Sequence, residues 1–292
     1  MKLKCCLAVL LAMFLLASGL KSEAAAVTDW DNKVITVTGM GAMPPQAVNP
    51  AQARMLGRRA AIADAYRLLT ETVAGVKVDS ETTVEMMLTT SDIIRTKVSG
   101  IVKGAQIISE RAVDGGGYEV TMQVPIFGVT GSIATAVLTP PPAPVSFPQP
   151  APEVIPSMPA DSNTGDSVNY SWVQGGDNSP MGAIGGYTGL IIDCRGLNLN
   201  PVMSPVIKNS DGVKLYGHEN LNYDLVIKDG MVNYASNSGQ VARAGSKPLT
   251  IKAVRLEDNN ANPVVSVADG NRILIENGAS GFLNKTAVVF LH

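Results

Sequence analysis

Asn49-Pro-Ala-Gln-Ala-Arg-Met-Leu-Gly-Arg-Arg-Ala-Ala-Ile-Ala-Asp-Ala-Tyr-Arg-Leu-Leu-Thr-Glu-Thr-Val-Ala-Gly75 decides the fold of the first half of this chain. Asn49 is a helix cap, because its side-chain oxygen can accept from an orphan backbone N–H. Pro50 takes the first helical position, where a missing N–H costs nothing. Met55, Ile62, Tyr66, Leu69 and Val73 follow at spacings of 7, 4, 3 and 4, so they share one helical face. Arg54, Arg58, Arg67 and Glu71 lie mostly off that face, and Gly75 closes the helix as a C-cap. A helix of about 24 residues is roughly 36 Å long.

Upstream, Val34-Ile-Thr-Val-Thr38 is β-branched throughout and reads as a strand ended by Gly39-Met40-Gly41 and Pro44-Pro45. Downstream, a second helix is expected over Ser91–Ser99, with Ile94 and Val98 inward; its start is open, because Val84, Met87 and Leu88 could belong to it. Val102–Ala112 and Tyr118–Ile126 read as strands joined by Asp114-Gly115-Gly116-Gly117. Tyr118, Val120, Met122, Val124 and Ile126 alternate with Glu119, Thr121 and Gln123, which marks a sheet with one face in a core and one face wet. The order is β-α-α-β-β: a long helix on a three-stranded antiparallel sheet.

Past this module the composition breaks. Residues 140–160 carry nine of the 18 prolines, Pro140, Pro141, Pro142, Pro144, Pro148, Pro150, Pro152, Pro156 and Pro159. Proline lacks an N–H donor and fixes φ, so the stretch reads as an extended spacer. Asp161–Gly186, rich in Gly, Ser and Asn, continues it. Residues 187–292 read as a β-rich α+β domain with mostly antiparallel pairing. Its elements are a strand over Tyr187–Cys194, a hairpin over Val206–Tyr216, another over Leu225–Tyr234, and a strand–turn–strand around Asp258–Asn262. A short helix over Asp269–Asn277 and a last strand over Ala287–Leu291 complete it. The chain is thus expected to be an α+β protein of two small domains, 27–138 and 187–292, joined by a Pro-rich linker over 139–186.

Residues 1–26 read as a signal peptide. Lys2 and Lys4 form a positive start, Cys5–Leu20 is an uncharged apolar run, and Ala24-Ala25-Ala26 offers small residues for cleavage. The alternative is a retained N-terminal membrane anchor. Leu20 stands where a lipoprotein signal needs its Cys, so the expectation is a non-lipidated protein in the periplasm or cell envelope of a bacterium. Cleavage would remove Lys2, Lys4, Lys21 and Glu23 from the 23 basic and 25 acidic residues, leaving a mildly acidic chain. That excludes a generally basic nucleic-acid binder. Of the three Cys only Cys194 remains, within the apolar run Leu190-Ile191-Ile192-Asp193-Cys194, where a buried inert thiol is expected.

Site chemistry is sparse. His218 and His292, the only two His, are far apart in sequence, so no metal site is expected. Asp258–Asn262 lacks the spacing of a calcium loop. There is no Gly-x-Ser-x-Gly elbow and no phosphate loop, and Gly39-Met-Gly41 reads as a turn rather than a cofactor fingerprint. No catalytic residue and no cofactor are assigned. Arg54, Arg58 and Arg59 are candidate contacts for an anionic partner, and Trp30 and Trp172 are candidate docking anchors. Asp193-Arg195 is a charged pair at a strand end, either a salt bridge or the rim of a site.

The Gly-x-Gly strand, the Ala-rich helix Ala51-Gln-Ala-Arg…Arg59-Ala-Ala-Ile-Ala-Asp-Ala65-Tyr-Arg-Leu-Leu69 and the closing Gly-Tyr-Glu-Val hairpin resemble the Lpp-twenty-like lipoprotein family. They are also similar to the N-terminal domain of flagellar assembly protein T. The resemblance covers about Val34 to Phe127 and implies a non-enzymatic envelope domain, in some cases tied to flagella or the outer membrane. No functional residue carries over. Tyr187-Thr-Gly-Leu-Ile-Ile-Asp-Cys-Arg-Gly196 resembles a module found behind such envelope domains in uncharacterised proteins. The leading expectation is therefore a non-enzymatic structural or assembly protein that binds envelope proteins, as a monomer or an oligomer. Its rivals are a periplasmic module for glycan or a small ligand, with a pocket in residues 187–292, and a hydrolase built on Cys194 and His218.

Overall fold

The structure, a computed structural model, describes residues 25–150, 183–237 and 241–292. These fall into two compact units. The first holds the described residues up to Thr28 together with Ile35–Val73 and Ser99–Val124. The second holds Asp29–Val34, Ala74–Val98 and the described residues from Pro125 to His292.

The first unit is an antiparallel sheet under a long helix. Its strands are β1 (Ala25–Asp29), β2 (Val34–Ala42), β3 (Gln106–Val113) and β4 (Gly117–Pro125), in the order β1-β2-β4-β3. β1 adds a fourth strand to the three that the sequence marks. It begins within the expected signal and is followed by a tight turn in which the Asn32 N–H donates to the Asp29 carboxylate at 2.8 Å and Lys33 takes a φ of 59°. The β3–β4 hairpin turns where expected, with Gly115 and Gly116 at φ 88° and 86°. Val120, Met122 and Val124 of β4 are buried.

Helix α1 (Pro50–Ala74) starts as read: the Gln52 N–H donates to Asn49 Oδ1 at 2.8 Å. Its buried stripe keeps Leu69 and Val73 of the expected face and differs in the rest. Gly57, Ala61, Ala65, Leu69 and Val73 face the sheet, whereas Met55 is 66% exposed and Ile62 and Tyr66 are only half-buried. The glycines of β2 supply the reason. A Cβ on Gly39 would lie 2.3 Å from the Ala65 backbone nitrogen, and one on Gly41 would lie 2.1 Å from the Gly57 carbonyl oxygen. Helix and strand backbones touch, so both contact lines need small residues. Gly39-Met40-Gly41 is therefore no turn; β2 runs through it to Ala42.

Where one helix is expected over Ser91–Ser99 there are two, α2 (Val84–Thr90) and α3 (Asp92–Lys103). Ser91 separates them: its N–H donates to the Met87 carbonyl and its Oγ accepts from the Ile94 N–H at 3.3 Å. α3 takes Val102, which the sequence had suggested for the following strand, because Val98 and Val102 lie four apart on one helical face and both are buried.

The second unit contains α4 (Ile133–Val137) and the elements from residue 189 onward. These are β5 (Gly189–Asp193), β6 (Ile207–Asn209), β7 (Lys214–Tyr216), α5 (Tyr223–Asp229), β8 (Asn233–Ala235), β9 (Pro248–Lys252), β10 (Arg255–Glu257), β11 (Asn262–Val265), α6 (Val267–Ser280) and β12 (Val288–Leu291). The central sheet, β8-β12-β5-β9, is parallel at every pairing, which corrects the expectation of mostly antiparallel pairing. Leu190, Ile191 and Ile192 of β5 and all four residues of β12 are buried; such unbroken apolar runs belong to strands covered on both faces. The smaller sheet, β10-β11-β6-β7, carries both hairpins read around Asn209–Gly212 and Asp258–Asn262. The third expected hairpin, Leu225–Tyr234, is instead α5 followed by β8. Asn222 caps α5 by accepting from the N–H groups of Asp224 and Leu225, and Gly230 ends it at φ 74°.

Segments of the first half of the chain complete this unit. The Met203 and Ser204 N–H groups donate to the Lys77 and Val78 carbonyls at 3.0 and 2.8 Å, and the Gly128 N–H donates to the Ile227 carbonyl at 2.8 Å.

Candidate functional site

The residues singled out in the sequence divide between the units. In the first, Arg54 and Arg59 are exposed, while Arg58 pairs with Glu110 of β3 at 2.8 Å. A half-exposed pair of this kind is worth at most about 1 kcal/mol. In the second, Trp30 is half-buried and meets the ring of Tyr234 edge-on, with centroids 5.7 Å apart. Tyr234 also packs edge-on against Phe290 and His292. Trp30 thus anchors to its own chain. Trp172 lies outside the described residues.

Cys194 is fully buried as expected. Burial, helped by the Asp193 charge, pushes its thiol up to about 12, so the thiolate that nucleophilic attack requires is scarce at neutral pH. Burial also lowers the His218 imidazole from its usual range. The Asp193–Arg195 pair is a salt bridge at 2.6 Å, and the Arg195 guanidinium holds the Asp193 carboxyl down at about 2.

Sequence reading missed a half-buried cationic brace. Arg243 donates to the carbonyls of Asp229, Gly230 and Thr286, to Asn233 Oδ1 and to Thr286 Oγ1, at 2.5–2.9 Å. Its fork ties together the end of α5, β8 and the loop before β12. Lys33 joins from the β1–β2 turn, donating to the Asp229 carbonyl at 2.5 Å. Burial first, then the Arg243 charge, lowers Lys33 to about 8, against a smaller raising effect of Asp229. Nothing in the local sequence distinguishes Arg243 or Lys33, because most of their partners are backbone carbonyls and the others, Asn233 and Thr286, are distant in sequence.

A second missed cluster lies around β7. Tyr216 is buried, and its phenol donates to the Met231 carbonyl at 2.6 Å. The Phe147 ring lies parallel to it, with centroids 6.4 Å apart and planes 3° apart. The Val145 N–H donates to the Glu219 carbonyl at 2.7 Å, and Asn220 Nδ2 donates back to the Val145 carbonyl at 3.2 Å. The Tyr223 phenol donates to the Leu138 carbonyl at 3.0 Å. His218 sits edge-on to Tyr223, and its Nε2 is buried with no hydrogen-bond partner among the described residues.

In the first unit, a recess of about 620 Å³ opens between the β2–α1 loop and the tip of the β3–β4 hairpin, lined by Met43, Pro44, Val48, Pro50, Gly115 and Gly116. It is bounded by a Met43 N–H to Gly116 carbonyl bond of 2.8 Å. Among the described residues no group of three or more His, Cys, Asp or Glu is placed to hold a metal ion, and no helix is long and apolar enough to cross a membrane.

Two families match parts of this chain. Residues 44–125 match the LPP20 lipoprotein family, from the β2–α1 loop to the end of β4. Residues 189–292 match the second domain of Treponema pallidum Tp0624, from β5 to the C-terminal His292. No curated protein matches the chain. The first match supports the Lpp-twenty-like resemblance and, with it, an envelope-associated character; the flagellar resemblance has no counterpart in either.

Proposed function

We propose that this chain is an exported, non-enzymatic protein of the bacterial cell envelope that works by binding other envelope proteins. The match of residues 44–125 to the LPP20 lipoprotein family carries this reading. The side-chain chemistry agrees with it. The one cysteine outside residues 1–26 is packed at the end of a core strand with its thiol raised to about 12, and the polar cluster around Arg243 is spent on structural oxygens, three backbone carbonyls and the side chains of Asn233 and Thr286.

Residues 1–26 would be removed on export, and the mature chain would be free of lipid because Leu20 replaces the required Cys. An association with the outer membrane or the flagellum is the finer form of the proposal. Fractionation of cells carrying the tagged native gene, followed by intact-mass measurement, tests it. The expected result is a chain lacking the first 24 to 26 residues, in the envelope fraction, with no lipid mass. A full-length cytosolic chain overturns the reading. Capture of partners from cross-linked envelope by wild type and by Cys194→Ala should be identical; a loss of capture in that variant would reopen a role for the thiol.

A further inference from the structure

We propose that the surface formed by Tyr216, His218–Asn220 and Tyr223 is a binding site for a proline-rich chain, and that residues 138–147 of this same protein occupy it as a releasable strap. The composition of Leu138-Thr-Pro-Pro-Pro-Ala-Pro-Val-Ser-Phe147 supplies the reason. Such a stretch makes no internal hydrogen bonds, so its carbonyls and its few N–H groups stay available to a partner. Recognition of it rests on aromatic rings and on backbone hydrogen bonds at the non-proline positions.

The observed contacts have that form. Val145, between Pro144 and Ser146, uses both its N–H and its carbonyl, on the Glu219 carbonyl and Asn220 Nδ2. The Phe147 ring stacks parallel to the Tyr216 ring with centroids 6.4 Å apart, and the Tyr216 phenol is fixed by its own bond to the Met231 carbonyl. At the other end the Tyr223 phenol holds the Leu138 carbonyl. Leu138 is buried at one end, while between the anchors Pro140, Pro142 and Pro144 are exposed, so the middle of the segment is not packed into a core. His218 Nε2, beside Tyr223, is buried with no hydrogen-bond partner among the described residues, and an unmet buried polar atom costs free energy.

The test uses the full chain and a synthetic peptide of residues 137–150. In wild type the Val145 amide should exchange with solvent far more slowly than those of Ala143 and Ser146, and Phe147→Ala should abolish that protection. A tethered occupant competes at an effective concentration on the order of millimolar. The peptide should therefore bind Val145→Pro/Phe147→Ala about tenfold or more tightly than wild type, and a peptide with its prolines changed to alanine should bind more weakly. Equal exchange at Val145, Ala143 and Ser146 in wild type overturns the proposal, even if the double variant does not fold. So does peptide binding that ignores either the strap substitutions or the prolines.

Discussion

At the scale of single residues, glycine has two opposite meanings in this chain. In β2 it is a matter of space. A methyl group on Gly41 would sit 2.1 Å from the Gly57 carbonyl oxygen, and neither backbone can yield without moving α1 off the sheet. Gly41→Ala should therefore lose at least about 1–3 kcal/mol, the range for overpacking a core. In α3 the same atom costs nothing sterically: Gly100 has open space where its Cβ would go. Gly100→Ala should gain about 0.5–1 kcal/mol from helix propensity alone. Urea unfolding of the two variants gives opposite signs if the backbone contact is real; a neutral Gly41→Ala would show that it is not. Lys33 gives a pH-dependent counterpart. Its ammonium is lowered to about 8 when folded, from 10.5, so between those values the unfolded chain binds more protons. Below about 8 the folded state bears the full cost of burying that charge, and stability recovers as pH rises through 8 toward 10.5. Relative to Lys33→Met, wild type should gain stability between pH 7 and 9.5, by about 2 kcal/mol. A pH-independent difference between the two proteins would place Lys33 in water.

At the scale of elements, the readable signals were local ones. The Asn49–Pro50 cap, the alternation of β4, the glycine turn of the β3–β4 hairpin and the buried strand leading to Cys194 each follow from residues within one turn or one strand. What the sequence concealed depended on a distant partner. The true face of α1 is its small-residue face, because β2 approaches through Gly39 and Gly41; periodicity ranks Met55 and Ile62 higher because it weighs apolar size, not closeness. The parallel pairing of β5 with β9 and β12 is likewise invisible from short apolar runs, which carry no direction. The segment from Asn222 to Gly230 was legible and misread. Asn, seven residues and Gly mark a short helix as well as they mark a turn, and the cap decides between them. Asn222→Ala removes the acceptor for two orphan N–H groups and should cost about 0.5–2 kcal/mol. An unchanged urea midpoint would show that the cap does not hold α5. The candidate surface on β7 was the least legible of all, since it takes Phe147, Val145 and Leu138 from a stretch that composition alone marks as a spacer.

At the scale of the whole molecule, a sequence match and a folding unit do not coincide. The match that begins at residue 189 describes a stretch whose structure also draws on Asp29–Val34, Ala74–Val98 and Pro125 onward. Those pieces supply contacts of three kinds. Trp30 covers an edge of Tyr234 at the end of the parallel sheet. Lys77 and Val78 provide the carbonyls for the Met203 and Ser204 amides, and Gly128 provides the donor for the Ile227 carbonyl. Lys33 adds a donor to the Asp229 carbonyl that Arg243 also uses. Cutting them away exposes aromatic surface and leaves several backbone groups to find water; each group that stays buried and unpaired costs about 1–3 kcal/mol, against a total stability of about 5–15 kcal/mol for an ordinary domain. Residues 183–292 expressed alone should therefore melt well below the second unit of the full chain, or not fold cooperatively at all. Cutting the full chain at a protease site inserted within 151–182 should do neither. The contacts from Trp30 to Leu138 lie entirely before the cut and their partners after it, so the two fragments should co-elute as one body and separate only in denaturant. If 183–292 alone matches the full chain in melting temperature, the borrowed segments are ornaments on a self-sufficient domain. If instead the cut fragments part in native buffer, the segments from the first half rest on the second unit only through the covalent tie.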